Sequence, residues 1–341
     1  MFCFILFLTS TFAFDCLNDQ GKPVDSWLAL KHPKGAVYFY YDSFEKTFHT
    51  SPYSMNDSSS GALTHTVKQL WRKDKDQVNY VLYNDQVPKV YDTGENESLL
   101  GQFGHTKGLF AFSGNSGFWL THSIPLYPVG PQSSQEYLGL GSNAWTYAQN
   151  ALCLSVSATT LNDLALAFQL NRPQIYESYL SSDSSTTYAH IRDLIDGQYS
   201  KEKMCLVKPL ETRGKMPFIV YSKTGEWNND LYSGCVAPSQ ADALWVESWI
   251  RGSADGPNCP LDKYDTLDIK SLDFAPLEGH WLETQDHSKW AITETKDTVC
   301  MGDINRMTTQ YTRGGGTACF QDSVLHNVLK KATKEMDKCR S

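Results

Sequence analysis

Beyond its N-terminal residues, this 341-residue chain has no apolar run that could span a membrane and no long flexible linker. Basic charge is also scarce. Thirty Lys and Arg stand against 38 Asp and Glu, a net charge of −8 with the histidines neutral. Phosphate backbones attract basic surfaces, so this balance argues against a nucleic-acid binder at neutral pH. Acid reverses the argument, because protonating all nine histidines below about pH 6 brings the sum to +1 before any carboxylate takes up a proton. A mildly acidic workplace would therefore suit a polyanionic substrate. Three familiar signatures are missing as well: G-x-S-x-G, H-E-x-x-H and G-x-x-x-x-G-K-[ST]. Their absence removes the sequence marks of a hydrolase nucleophile elbow, a zinc protease helix and a nucleotide-binding loop.

What is present is the composition of an ordinary globular protein, 41% hydrophobic and 20% charged. The opening "MFCFILFLTSTFAFDC" is an apolar run followed by small residues, with Thr11 and Ala13 placed as a cleavage site would place them. It is read as a secretory signal over residues 1–13, although it lacks a positive n-region. Its removal takes Cys3 and leaves an even set of cysteines in a compartment where disulfides persist. Eight cysteines allow about 105 pairings, and spacing selects none of them. N-x-S sequons at Asn56 and Asn96 fit the same secretory route.

Strand-like stretches dominate: 36–41, 78–84, 108–113, 117–122 and 151–157. Helical patterns are expected over 59–73, 160–170, 238–251 and 321–339. Turn clusters at 181–187, 253–260 and 312–319 separate them. The expected fold is mixed α/β, with two tightly packed lobes and a soft boundary between residues 160 and 200. The basic runs in "WRKDKD" and "LKKATKEMDK" read as solvated helix faces.

The chain carries His-x-Lys in "GHTKG" (104–108) and again in "DHSKW" (286–290). On a β-strand, residues i and i+2 point to the same side, which would set His105 beside Lys107 and His287 beside Lys289. An imidazole next to an ammonium makes an anion pocket; the lysine binds an oxygen while the imidazole attacks or protonates. Two such pairs facing each other would supply what metal-free phosphodiester cleavage needs: a nucleophile, an acid, and two cations for the equatorial oxygens. The bare motif is not specific. A third copy, His32-Pro33-Lys34, holds a proline that donates no hydrogen bond, and it is read as a turn. His122 closes a strand near the first motif, as either a hydrogen-bonded structural histidine or a phosphate-contacting one. His280, Glu283, Asp286 and His287 match no familiar ligand spacing, so no metal is expected.

The stretch "GHTKGLFAFSGNSGFWLTHSIPLYP" resembles the hallmark of the deoxyribonuclease II family. So do "CLNDQGKPVDSWLALKHPKG", "TYAQNALCLS", "YSKTGEWNNDLYSGCVAP" and "DHSKWAI". The likeness spans nearly all of the mature chain. It implies two phospholipase-D-like lobes, each a β-sheet flanked by helices, related by a pseudo-twofold axis and divided as 14–170 and 171–341. It further implies an acid endonuclease that needs no metal or cofactor, is secreted or lysosomal, acts as a monomer or weak homodimer, and leaves 3'-phosphate and 5'-hydroxyl ends on DNA. In that reading His105 and His287 are nucleophile and general acid, Lys107 and Lys289 hold the phosphate, and His122 assists. The resemblance also implies disulfides joining Cys16 to Cys153, Cys259 to Cys339 and Cys300 to Cys319; the pairing of Cys205 and Cys235 stays open. The wider phospholipase D pattern has an acid five positions after the lysine, where this chain has Phe112.

Two other readings share the scaffold. One is a secreted DNA-binding or host-interaction protein with little turnover, against which both intact pairs count. The other is a transferase or lipid phosphodiesterase using the same histidine chemistry.

Overall fold

The computed structural model describes residues 13–72, 78–92, 101–250, 252, 254–261 and 263–339. Residues 1–12 of the expected signal and the sequon at Asn96 lie outside these; Asn56 sits half-buried in a polar turn. Two large sheets carry the chain. The first has eight strands, in spatial order Ile175–Tyr179, Asn79–Asn84, Lys107–Ser113, Ser116–His122, Gln149–Ser157, Ser26–Lys31, Tyr38–Asp42 and His49–Thr50. All of its pairings are antiparallel. The second runs Cys205–Glu211, Pro217–Lys223, Gly315–Gln321, Thr298–Gly302, Trp290–Thr293, Leu244–Glu247, Thr266–Asp273 and His280–Leu282, with Thr333–Met336 also pairing to Thr266–Asp273. The fold is thus mixed α/β and dominated by sheet, as the strand-rich sequence indicates.

These strands are apolar on both sides because both sides are covered. In "SWLALK", Leu28 and Leu30 point into a core shared by the two sheets, while Trp27 and Ala29 point into a second core under the helix Ala62–Val67. The shared core also takes Phe110, Trp119 and Leu152 from the first sheet and Phe218, Trp290, Ile292 and Met301 from the second. The helix Ala158–Asn171 packs on it through Leu161, Leu164, Ala165 and Phe168. Ser157 caps that helix by accepting the Thr160 N–H, and Arg172 ends it in the left-handed region. The Phe168 ring meets Tyr83, Phe110 and Trp119, and truncating such a residue to alanine costs roughly 3–5 kcal/mol.

The same succession follows each His-x-Lys motif. After Lys107 come the hairpin 107–122, the strand Gln149–Ser157 and the helix Ala158–Asn171. Beyond Lys289, the hairpin 290–302, the strand Gly315–Gln321 and the helix Ser323–Ala332 appear in the same order.

Two expected helices are shorter than their patterns. Within 238–251, the helix Ala237–Gln240 stops at Ala241, which has φ 51°, and Leu244–Glu247 is a strand with Leu244 and Val246 buried. Within 321–339, the helix ends at Ala332 and the β-branched Thr333 opens a strand. The 59–73 pattern likewise resolves into a helix over Ala62–Val67 and one 3-10 turn over Lys68–Trp71. Four disulfides are present: Cys16–Cys153, Cys259–Cys339, Cys300–Cys319 and Cys205–Cys235. Among the described residues, no helix is long and apolar enough to cross a membrane.

Candidate active site

Gly104 reaches its place only because it has no side chain: a Cβ there would lie 1.9 Å from the Asn171 carbonyl oxygen. The Gly104 N–H donates to Arg172 O at 2.8 Å, and the His105 N–H donates to Gly314 O at 2.8 Å. The first motif is therefore moored to a loop of the second sheet. The strand begins at Lys107, so His105 lies in the segment leading into it rather than on the strand itself. Both side chains nevertheless converge on Asp85, which follows the neighbouring strand Asn79–Asn84. Lys107 pairs with Asp85 Oδ1, Arg313 with Asp85 Oδ2 at 2.8 Å, and His105 Nε2 stands 4.0 Å from the same Oδ2. The cations hold the Asp85 carboxyl well below the usual range despite its burial. On the far side of the ring, His105 Nδ1 bonds Gln310 Oε1 at 2.9 Å.

His122 ends the strand beside that of Lys107. Its Nδ1 accepts the Ile124 N–H at 3.1 Å, and its ring meets Tyr127 edge-on. Burial, then the Lys107 charge, lower its pKa to about 3. A neutral imidazole with Nδ1 committed carries its proton on Nε2, and that atom is buried without a hydrogen-bond partner. His122 is thus both a structural histidine and one with a spare donor at the site.

The second motif is moored in turn to the first sheet. His287 N–H donates to Ala148 O at 2.9 Å, and Lys289 N–H donates to Asn150 Oδ1 at 2.9 Å. Asn150 also exchanges hydrogen bonds with Ser123, the residue after His122, and its Nδ2 donates to Gly302 O at 3.3 Å. The His287 ring stacks on Tyr147 at 4.0 Å with a 6° interplanar angle and meets Trp249 at 4.3 Å. Burial, then Lys289, Lys107 and Lys31, lower its pKa to about 3. Lys289 is itself buried, and burial followed by the Lys107 charge brings it down to about 7. Asp303 goes the other way: burial raises it to about 7, against an accepted Gly316 N–H at 3.0 Å and the two lysine charges.

Lys107 acts on His287, Lys289 acts on His105, and Lys107 also opposes the charge on Lys289. The two motifs, 182 positions apart, thus lie close enough in the fold for their charges to act on each other. Two ammonium groups there attract an anion, while two largely neutral imidazoles can give or take a proton. The other sequence-level marks fall elsewhere. His32-Pro33-Lys34 forms the turn between Ser26–Lys31 and Tyr38–Asp42, with Lys34 at φ 58° and the His32 ring against Phe39 and Trp281. The acids around His287 make no ligand set: Asp286 is spent on the Trp281 and Ser288 N–H groups, and His280 is exposed. Among the described residues, the one metal-sized grouping is Cys259, Asp265 and Cys339, whose cysteines are joined to each other. Phe112 is a core residue. Asp85, Gln310, Arg313, Asn150, Tyr147 and Asp303 escaped the sequence reading, since none belongs to a spacing with chemical meaning.

A mixed α/β fold that brings two His-x-Lys pairs near each other has the chemistry of a class of proteins able to hold an anionic group. The family profile described as deoxyribonuclease II matches residues 15–339. A protein of Burkholderia thailandensis is 35% identical over 329 residues, covering 92% of this chain and 90% of its own. Deoxyribonuclease-2 of Caenorhabditis elegans is 34% identical over 347 residues (92% and 91%), and deoxyribonuclease-2-alpha of Sus scrofa is 30% identical over 336 residues (95% and 90%). The chain belongs to the deoxyribonuclease II family and is an enzyme of that family.

Proposed function

We propose that this enzyme hydrolyses DNA phosphodiesters at acid pH, without a metal or other cofactor, leaving 3'-phosphate and 5'-hydroxyl ends. The observation that supports this reading is the pair of His-x-Lys motifs, each moored by hydrogen bonds from the other sheet and close enough for their charges to act on each other. Lys107 and Lys289 hold the nonbridging oxygens, so positive charge is in place as the phosphorus becomes crowded. The His105 Nε2 lone pair forms a bond to phosphorus, and the bond from phosphorus to the 5'-oxygen breaks. That oxygen takes a proton from His287 and leaves as the hydroxyl. Water then gives its proton to His287 and attacks phosphorus; the P–N bond breaks and the 3'-phosphate is released. The bound diester adds negative charge next to His287 and raises its proton affinity above that in the empty site. His122 assists from the strand beside Lys107.

Acid suits this site. Below about 7, Lys289 is charged and Asp303 neutral; above it, one loses positive charge and the other gains negative charge. Both changes weaken the hold on a polyanion. The two sheets are proposed as the two pseudo-symmetric lobes, the first reaching Tyr179 rather than ending at residue 170, because Ile175–Tyr179 pairs with Asn79–Asn84. A signal over residues 1–13, glycans at Asn56 and Asn96, a secreted or lysosomal destination and a monomeric or weakly dimeric state complete the reading.

Incubation of the purified protein with plasmid at pH 5 in EDTA, followed by end-group analysis, tests it. Nicking with 3'-phosphate ends is expected. Dependence on magnesium or 5'-phosphate ends would overturn the mechanism, and binding without nicking would favour a DNA-binding role.

A further inference from the structure

Lys223, at the end of the strand Pro217–Lys223, is buried, and its ammonium donates to three main-chain oxygens of one loop: Gln310 at 3.0 Å, Tyr311 at 2.8 Å and Arg313 at 2.6 Å. An ammonium has three protons, and all three are committed to this loop. What the loop delivers is the far wall of His105. It brings the Gln310 amide oxygen to Nδ1, the Arg313 guanidinium to Asp85, and the Gly314 carbonyl to the His105 N–H.

We infer that Gln310, on the loop secured by Lys223, is a positioning residue that fixes the reactive tautomer of His105. The inference rests on the nucleophilic role proposed above for His105. With Oε1 accepting from Nδ1, the single proton of the neutral ring sits on Nδ1 and the lone pair on Nε2, the atom on the Asp85 side of the ring. A carboxylate at position 310 would orient the ring equally well, but its charge would favour imidazolium, which has no lone pair to attack with. An amide orients without charging. That distinction matters most for an enzyme working in acid, where any rise in proton affinity would cost the lone pair. Burial holds the His105 proton affinity well below the ordinary imidazole value; of the charges facing the ring, Asp85 raises it, and Lys107, Arg313 and Lys289 lower it. Gln310 adds nothing to that balance while setting the direction of the ring.

The test compares Gln310→Glu and Gln310→Leu with the parent enzyme in plasmid cleavage from pH 4 to 8. Gln310→Glu is expected to move the acid limb of the kcat/KM profile upward by about one unit or more, so that activity on that limb falls by up to about tenfold for each unit and recovers toward pH 7. Gln310→Leu is expected to lower kcat by about tenfold or more with KM changed less than about twofold, since the tautomer matters to the attack and not to the grip. The glutamate variant is nearly isosteric and keeps the inference testable if the leucine variant does not fold. An unmoved acid limb in Gln310→Glu, with His105→Ala inactive, would overturn this role for Gln310 and leave the nucleophile assignment standing. Full activity in His105→Ala would instead overturn the assignment itself.

Discussion

The Lys289 main-chain N–H donates to the Asn150 side-chain oxygen at 2.9 Å, across 139 positions of sequence. Asn150 lies on the strand Gln149–Ser157 of the first sheet, between Ser123 on one side and Gly302 on the other, and is fully buried. Asn150→Ala leaves a buried donor and a buried acceptor without their partner, at a cost of roughly 1–3 kcal/mol. A lower melting temperature is expected together with at least about a tenfold loss of kcat/KM, because Lys289 loses its register. A variant that melts lower yet cleaves normally would show that Asn150 serves stability alone.

His105→Ala and His287→Ala are each expected to reduce plasmid cleavage at pH 5 by about a thousandfold or more. The double variant should be little worse than either single one, as for residues acting as one unit. Quantitative nicking assays with all three proteins measure this. Independent, multiplying losses would contradict a shared reaction cycle.

The alkaline decline of activity is assigned to Lys289, whose pKa of about 7 follows from burial beside Lys107. Activity should therefore fall as pH rises through about 7. A guanidinium keeps its proton throughout that range, so Lys289→Arg, whatever its absolute rate, should show a flatter alkaline limb in a normalised pH profile. An identical limb in both proteins would place the controlling group elsewhere.

Asp303 makes a prediction about stability. Its carboxyl keeps its proton up to about 7 in the folded state but releases it near the ordinary value of 3.8 when unfolded. Between those values only the folded state binds the proton, so this residue's contribution to stability falls as pH rises from about 4 to about 7. Asp303→Asn mimics the protonated form and can still accept the Gly316 N–H. Denaturant unfolding should find variant and parent similar near pH 4.5, with the variant gaining on the parent at pH 7.5. A constant difference across the range would refute the raised pKa.

Gly104→Ala drives a methyl group into the Asn171 carbonyl oxygen, and neither backbone can yield without moving His105 or the end of the helix Ala158–Asn171. Loss of activity with a marked drop in melting temperature is expected. Circular dichroism melts alongside cleavage assays separate this from the nearly isothermal loss expected for His105→Ala.

The strands were legible in the sequence, as were the two motifs proposed for the chemistry; the residues packed around those motifs were not. Runs such as "VNYVLYN" and "GLFAFS" read as strands because both faces are buried, which makes them apolar throughout. The stretches 238–251 and 321–339 misled because a few apolar residues in a short window satisfy either period; pairing to Thr266–Asp273 decides for strand at Leu244–Glu247 and Thr333–Met336. His105, Lys107, His287 and Lys289 announce themselves by two-residue spacing, which is local. Gln310 touches His105 across 205 positions and Arg313 touches Asp85 across 228, and nothing in one sequence records such pairings.

The placement of the disulfides has a last consequence. Cys16–Cys153 closes on itself within the first half, and the remaining three bridges all close within the second. Among the described residues, the two halves are therefore fastened, apart from the polypeptide itself, by apolar contact, hydrogen bonds and ion pairs such as Arg313–Asp85, with no covalent bridge between them. A protease nick at the exposed residues 201–203 would yield a molecule that migrates as one particle under native conditions. In detergent it would separate into two pieces without any reducing agent, and each piece would carry one of the two His-x-Lys motifs.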